Sequence, residues 1–350
     1  MTRGVMYGLT AAALFGASTP FAKTILNDVH PIVLAGLLYA GSGLGLIAVH
    51  TVRVAFGQKA TAIALPSHRD WGWLAVAIVV GGILGPVLLM FGLAATAAST
   101  TSLLLNLESA FTALLAWFLF RENFDRRIAA GMAAILGGGI ILSVGPGDIG
   151  GVSRGALLVA AACLCWALDN NLTRKVSASD PIVIAALKGL VAGAVNLSLA
   201  ASLGYAMPRA GAIAQAASVG FFGYGLSLVL FVLALRHLGT ARTGAYFGVA
   251  PFFGAVLAVL FFGEGVTLQL CIAAVLMAIG VWLHLSEHHE HEHTHDATIH
   301  SHAHRHDAHH QHAHDFEWDG TEPHTHAHRH EAIVHRHVHF PDVHHRHRHG

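Results

Sequence analysis

Glu108, Asp169 and Lys188 are ionisable residues set inside long apolar runs. A carboxylate at the centre of a bilayer costs at least ~2.5 kcal/mol, so such groups face a bundle interior or a watery cavity. The chemistry open to them there is recognition of a polar ligand, or uptake and release of a proton. Thr101, Leu104, Glu108 and Thr112 recur at helical spacing and share one face, with Asn106 and Ser109 beside them. Trp166, Asp169, Asn170 and Asn171 crowd the end of a later run, and Lys188 follows Pro181 by seven residues. Tyr246, Asn196 and Tyr224 add hydrogen-bonding or stacking capacity. The candidates for lining a substrate cavity are thus Thr101, Asn106, Glu108, Trp166, Asp169, Asn170, Lys188 and Tyr246. Blander roles compete. Glu108 could be protonated and bonded between helices. Asp169 could be an interfacial neighbour of Arg174, the reading the sequence favours. Lys188 either snorkels to the headgroups or pairs with Glu108 or Asp169.

A second chemistry lies in the last 64 residues, which hold 24 of the 29 histidines, 11 acids and 5 arginines. His288, His289, His291, His293, His295, His302, His304 and His306 belong to a His-x-His pattern, and neutral imidazole ligates zinc, nickel, copper and cobalt. So few apolar residues build no packed core, and the tail is expected to be disordered.

The elements that must position the first group are membrane helices. The chain of 350 residues is 54% hydrophobic and 11% charged, against roughly 25% charged in a soluble domain. Its apolar runs are long and do not alternate, which favours helices over a barrel. Ten spans are expected, at about 4–23, 31–50, 71–92, 99–120, 128–145, 154–173, 181–203, 216–236, 241–262 and 267–286. With the N-terminus inside, the cytoplasmic loops collect eleven Lys and Arg and the outer loops three, Lys23, Arg154 and Arg209. Both termini are then cytoplasmic. The three cysteines all lie in apolar runs and have neither disulfide nor zinc spacing. No nucleotide-binding motif and no cluster of acids or histidines lies in the spans, which argues against an enzyme and against direct use of ATP.

The chain also echoes itself. TSLLLNLESAFTALLAWFLFRE from Thr101 matches TGAYFGVAPFFGAVLAVLFFGE from Thr243, and PIVLAGLLYAG from Pro31 matches PIVIAALKGLVAG from Pro181. Five spans per copy is odd, so two copies lie in opposite orientations. The expected fold is an all-α polytopic membrane protein of ten transmembrane helices as two inverted five-helix repeats, residues 1–147 and 148–286, with a His-rich cytoplasmic tail, residues 287–350.

FTALLAWFLFREN and FFGAVLAVLFFGEGV resemble the fourth-helix signature of the drug/metabolite transporter superfamily, in its EamA-domain branch. The resemblance implies ten helices with both termini inside and the export of a small organic metabolite, amino acid or drug. One departure stands out: the family often carries proline at the position of Ser109, and here only the second copy keeps it, as Pro251. The alternative function is a divalent-metal (Zn, Ni or Co) transporter whose tail collects ions, although the spans lack paired Asp and His ligands. No cofactor is expected beyond divalent ions at the tail. The expected partners are a small-molecule substrate and the lipid bilayer, with no nucleic acid and a homodimer left open. The expected site is the bacterial inner membrane.

Overall fold

The computed structural model describes residues 3–56, 71–120, 126–144, 151–173, 181–238, 240–285, 289–295, 298–304, 324–330 and 333–339. Glu122, Arg174, His288 and His306 lie outside them. The chain forms two units, up to Glu287 and from His288 onward.

Among the described residues the first unit is built of helices, with one isolated antiparallel bridge between Val144 and Val152. In order it contains α1 (Arg3–Ile25), α2 (Pro31–Ala55), α3 (Trp71–Ala77), α4 (Gly85–Ala94), α5 (Ala98–Leu104), α6 (Leu107–Phe120), α7 (Arg126–Ser143), α8 (Arg154–Thr173), α9 (Pro181–Ser202), α10 (Ala210–Gly220), α11 (Ser227–Leu238), α12 (Thr240–Phe247), α13 (Ala250–Phe262) and α14 (Leu268–Leu285). Ile78–Leu84 joins α3 to α4, and Phe221–Leu226 joins α10 to α11, each as a π-helical stretch. Among the described residues, eight segments are long and apolar enough to cross a membrane, and Ala250–Phe262 and Leu268–His284 are shorter apolar helices. Large apolar side chains such as Leu260, Val275, Ile279 and Trp282 are exposed, as expected where hydrocarbon replaces water as the solvent.

The helices interlock through small residues. α2 lies along α9, and α7 along α14; α1 packs on α11 and α13, while α8 packs on α4 and α6. Where α7 meets α14, a Cβ added to Gly131 would sit 2.9 Å from the Gly280 carbonyl, and one added to Gly280 2.7 Å from the Gly131 carbonyl. Only glycine permits that approach, and without water to drive association close packing is what holds such helices together. Leu34, Leu89, Leu93, Leu103, Ile135, Val159 and Met277 fill the shared core.

Two spans expected to be continuous are interrupted. The run through Glu108 breaks between α5 and α6, where Leu105, Asn106, Glu108 and Ser109 each donate from the backbone to a carbonyl three residues earlier. Asn106 Nδ2 donates to Leu103 O at 2.9 Å and Ser109 Oγ to Asn106 O at 2.8 Å. Polar side chains therefore tighten this turn without proline. The matching interruption between α12 and α13 does use Pro251, which has no N–H to give.

A polar corner holds α4 to α5. Lys23 Nζ donates to the carbonyls of Leu93, Ala94 and Thr96 at 2.6, 3.0 and 3.0 Å. The Glu264 carboxylate accepts from Ala98 N and Ser99 N at 2.6 and 2.7 Å. A cation thus closes the C-terminus of α4 and an anion the N-terminus of α5, each the favourable sign for the helix dipole. Gly263, at φ +68°, makes the left-handed turn that delivers Glu264.

In the second unit, β1 (His289–His295) pairs antiparallel with β4 (Ile333–His339), and β2 (Thr298–His304) with β3 (His324–His330). The pairing follows the His-x-His alternation, a period of two that suits extended chain: His291 lies opposite His337 and His302 opposite His326.

Candidate functional site

The break between α5 and α6 places Glu108 in the first turn of α6. That is the positive end of a half-helix, where a carboxylate is stabilised. Glu108 Oε1 accepts from Asn170 Nδ2 of α8 at 2.8 Å. Beside this pair lies a cavity of about 470 Å³, within the range of small-molecule sites. α6 lines it with Glu108, Ser109, Thr112 and Ala116, and the preceding turn with Leu105 and Asn106. Phe15 comes from α1, Asn170 from α8, Phe247 and Pro251 from either side of the second break, and Val281 and His284 from α14. The wall is mostly apolar, with a few convergent polar groups.

One residue along from Asn170, Asp169 is 7% exposed. Both its oxygens lie 2.6 Å from Lys188 Nζ, and Oδ1 also accepts from Thr173 Oγ1 at 2.9 Å. The interfacial role favoured for Asp169 is therefore corrected. It is buried because α9 carries its counter-ion across from it, and burial of a charge requires such a partner. The pair rests on the π-helical stretch: a Cβ on Gly81 would collide with the Asp169 carboxylate. The loosened ladder there leaves Gly81 O to accept from Trp166 Nε1 at 2.9 Å and Tyr39 OH at 3.1 Å. Such π segments often mark functional positions in helices.

The same architecture has known relatives. An EamA model, described as the EamA-like transporter family, matches residues 2–144 and again 153–286. The chain belongs to the EamA-like transporter family. Among similar proteins, an "Uncharacterized transporter" of Methanothermobacter thermautotrophicus is 29% identical over 79% of this chain and 84% of its own length. A "Probable terminal-alkyne amino-acid exporter" of Streptantibioticus cattleyicolor is 26% identical over 66% of this chain and 78% of its own. A solved crystal structure, 19% identical with a TM-score of 0.58, covers 81% of this chain and 96% of that one and shares the fold. The protein is thus a multi-pass membrane protein of a family of small-molecule transporters.

In this EamA-like bundle the sequence candidates divide into three groups. Asn106, Glu108 and Asn170 line the cavity. Trp166, Asp169 and Lys188 form the polar layer next to it, and Lys188 meets Asp169 rather than Glu108. Thr101 is fully buried in α5 and Tyr246 packs at Gly8 of α1, both outside the cavity lining. Phe15, Phe247 and His284 line it without having been singled out in the sequence. Among the described residues no three His, Cys, Asp or Glu side chains come together as a metal site.

Gly81→Ala tests the junction of bulge and ion pair. The added methyl must push Asp169 from Lys188 or distort the π stretch, and overpacking of this kind costs typically ~1–3 kcal/mol. A lower thermal midpoint in detergent is expected, with Gly72→Ala, where an added Cβ meets nothing within 4 Å, as the control that does not move it.

Proposed function

We propose that this EamA-like protein is a secondary transporter exporting a small organic molecule by alternating access. The observation that carries this reading is the cavity at the broken helix, with the Glu108 carboxylate set in a mostly apolar wall. Discontinuous helices at a repeat interface are where secondary transporters hold substrates. The relative named as an amino-acid exporter supports a small organic substrate over a metal ion.

Two inverted five-helix repeats in ten crossings are part of the proposal. The packing supports them, since α1 contacts α11 and α13 as α8 contacts α4 and α6. The π stretches and the helix breaks also recur at corresponding places in the two halves. The eleven-to-three basic bias supports cytoplasmic termini, in the inner membrane of a bacterium. His30, in the connection after α1, stacks on Tyr205 after α9 with ring centroids 3.5 Å apart, as expected if both connections lie on the outer side. In this orientation Thr112, Asn170, Gly244 and His284 fall in the cytoplasmic half of their helices, the loading side for export. The His-rich unit is proposed to bind divalent ions as an appendage, while transport itself needs no cofactor.

Everted membrane vesicles carrying the full chain should accumulate organic solutes from a labelled metabolite mixture above vesicles without it. Equal accumulation of every solute removes the transporter reading. Reporter fusions at Gly57, Gly151 and Ser286 are expected to read inside, outside and inside. An outside reading at Ser286 removes the ten-crossing topology and the inversion with it.

A further inference from the structure

Hydrogen-bond accounting in the cavity wall separates groups that can give a proton from groups that can only accept one. His284 Nε2 lies 3.2 Å from the carbonyl of Ile128. A carbonyl only accepts, so Nε2 carries the hydrogen, and in the neutral ring Nδ1 is left as an acceptor. Glu108 offers carboxylate oxygens, of which Oε1 takes one hydrogen bond from Asn170. Several of the lining donors are engaged. Asn170 gives one of its two amide hydrogens to Glu108, Asn106 donates to Leu103 O, and Ser109 to Asn106 O. At the start of α13, Phe252 and Phe253 both give their amides to Val249 O. The ammonium next to the site is held by both oxygens of Asp169. Thr112 Oγ1 is buried without a hydrogen-bond partner, and its hydroxyl serves either role. Among the described residues, no Lys or Arg lines the cavity.

We infer that the substrate is a compact amphiphile bearing a protonated amine, bound with its ammonium between Glu108 and His284 and its apolar body against Phe15 and Phe247. This rests on the transporter reading above and specifies its substrate class. An ammonium brings three donors and no acceptor, the complement of the Glu108 carboxylate and His284 Nδ1. A charge-assisted hydrogen bond to Glu108 in an apolar cavity is stronger than a neutral one. A free carboxylate on the ligand would meet the Glu108 carboxylate with no cation among the described lining residues to answer it, so this part of the wall discriminates against acids. His284 acts here as a specificity residue, its Nδ1 fixed as an acceptor by the Ile128 carbonyl.

The test is binding to the full chain in nanodiscs, by calorimetry, of four ligands on one skeleton: 2-phenylethylamine, phenylalanine, 3-phenylpropionate and 2-phenylethanol. The amine should bind best and the acid worst. Glu108→Gln should weaken the amine by at least about tenfold, the scale of one charged hydrogen bond, and the alcohol by less. His284→Leu should weaken the amine more than the alcohol. His284→Gln, which retains an N–H for Ile128 O and an oxygen for the cavity, should restore amine binding, a rescue that a purely structural histidine would not make specific to the amine. Tightest binding of phenylalanine, phenylpropionate or the alcohol overturns the amine class while leaving the transporter reading in place. Equal losses for amine and alcohol in the His284 variants overturn the role of His284. Absence of binding by all four, together with no solute accumulated in the vesicle assay, overturns both readings.

Discussion

Glu108→Gln should reduce solute flux roughly ten- to hundredfold, the range spanned by losing one hydrogen bond to a charged group, with little change in the amount of folded protein. Glutamine keeps the shape of the side chain and an oxygen for Asn170 Nδ2, which now lies 2.8 Å from Glu108 Oε1. Only the charge and the protonation equilibrium are removed. The expected split is therefore unchanged thermal unfolding and impaired transport in vesicles at equal protein content. Full flux in the variant would make Glu108 a helix-packing residue. Equal loss of fold and flux would do the same.

Lys188→Ala should be the more damaging change to the fold. It leaves Asp169, whose side chain is 10% exposed, as a charge without its partner. Breaking a buried pair from one side typically costs ~3–5 kcal/mol, whereas removing both charges is often close to neutral. The double variant Lys188→Ala with Asp169→Asn should accordingly recover most of the lost thermal midpoint. Asparagine also retains an oxygen for Thr173 Oγ1, which lies 2.9 Å from Asp169 Oδ1. A single variant as stable as the parent would mean the pair contributes nothing to holding α8 against α9. A double variant no better than the single would locate the loss in packing rather than in charge.

The ionisable residues of the site were legible in the sequence because each is expensive in an apolar run. Their partners were not, because partnership depends on which helix faces meet, and composition carries no crossing angle. Asp169 shows this most clearly: Arg174 is five residues away in the chain, yet the cation that holds Asp169 comes from α9. The helical character of the membrane unit followed from hydropathy alone. The interruption at Leu105 and Asn106 did not, since no proline marks it and the turn is made by short-range bonds of Asn106 and Ser109. The π stretches were equally silent, being a change of ladder within an unbroken apolar run. His284 was passed over because it ends the last apolar run just before the histidine-dense tail, where one more histidine carries little information. The signal available was its position inside α14, facing the same cavity as Glu108.

The corner between α4 and α5 bears on how the protein is made. The amide of Ala98 is answered by a carboxylate 166 residues further along the chain. At a synthesis rate of ~5–20 residues per second, that partner emerges on the order of ten seconds after the helix it caps. Throughout that interval the first turn of α5 has only water, lipid headgroups or an insertion chaperone to satisfy it. The first half of the chain is therefore a nascent intermediate with an open polar end, and its maturation waits on the last third of translation. A ribosome stalled before Gly263 would leave this end exposed, a mark by which membrane quality control could tell an unfinished copy from a complete one.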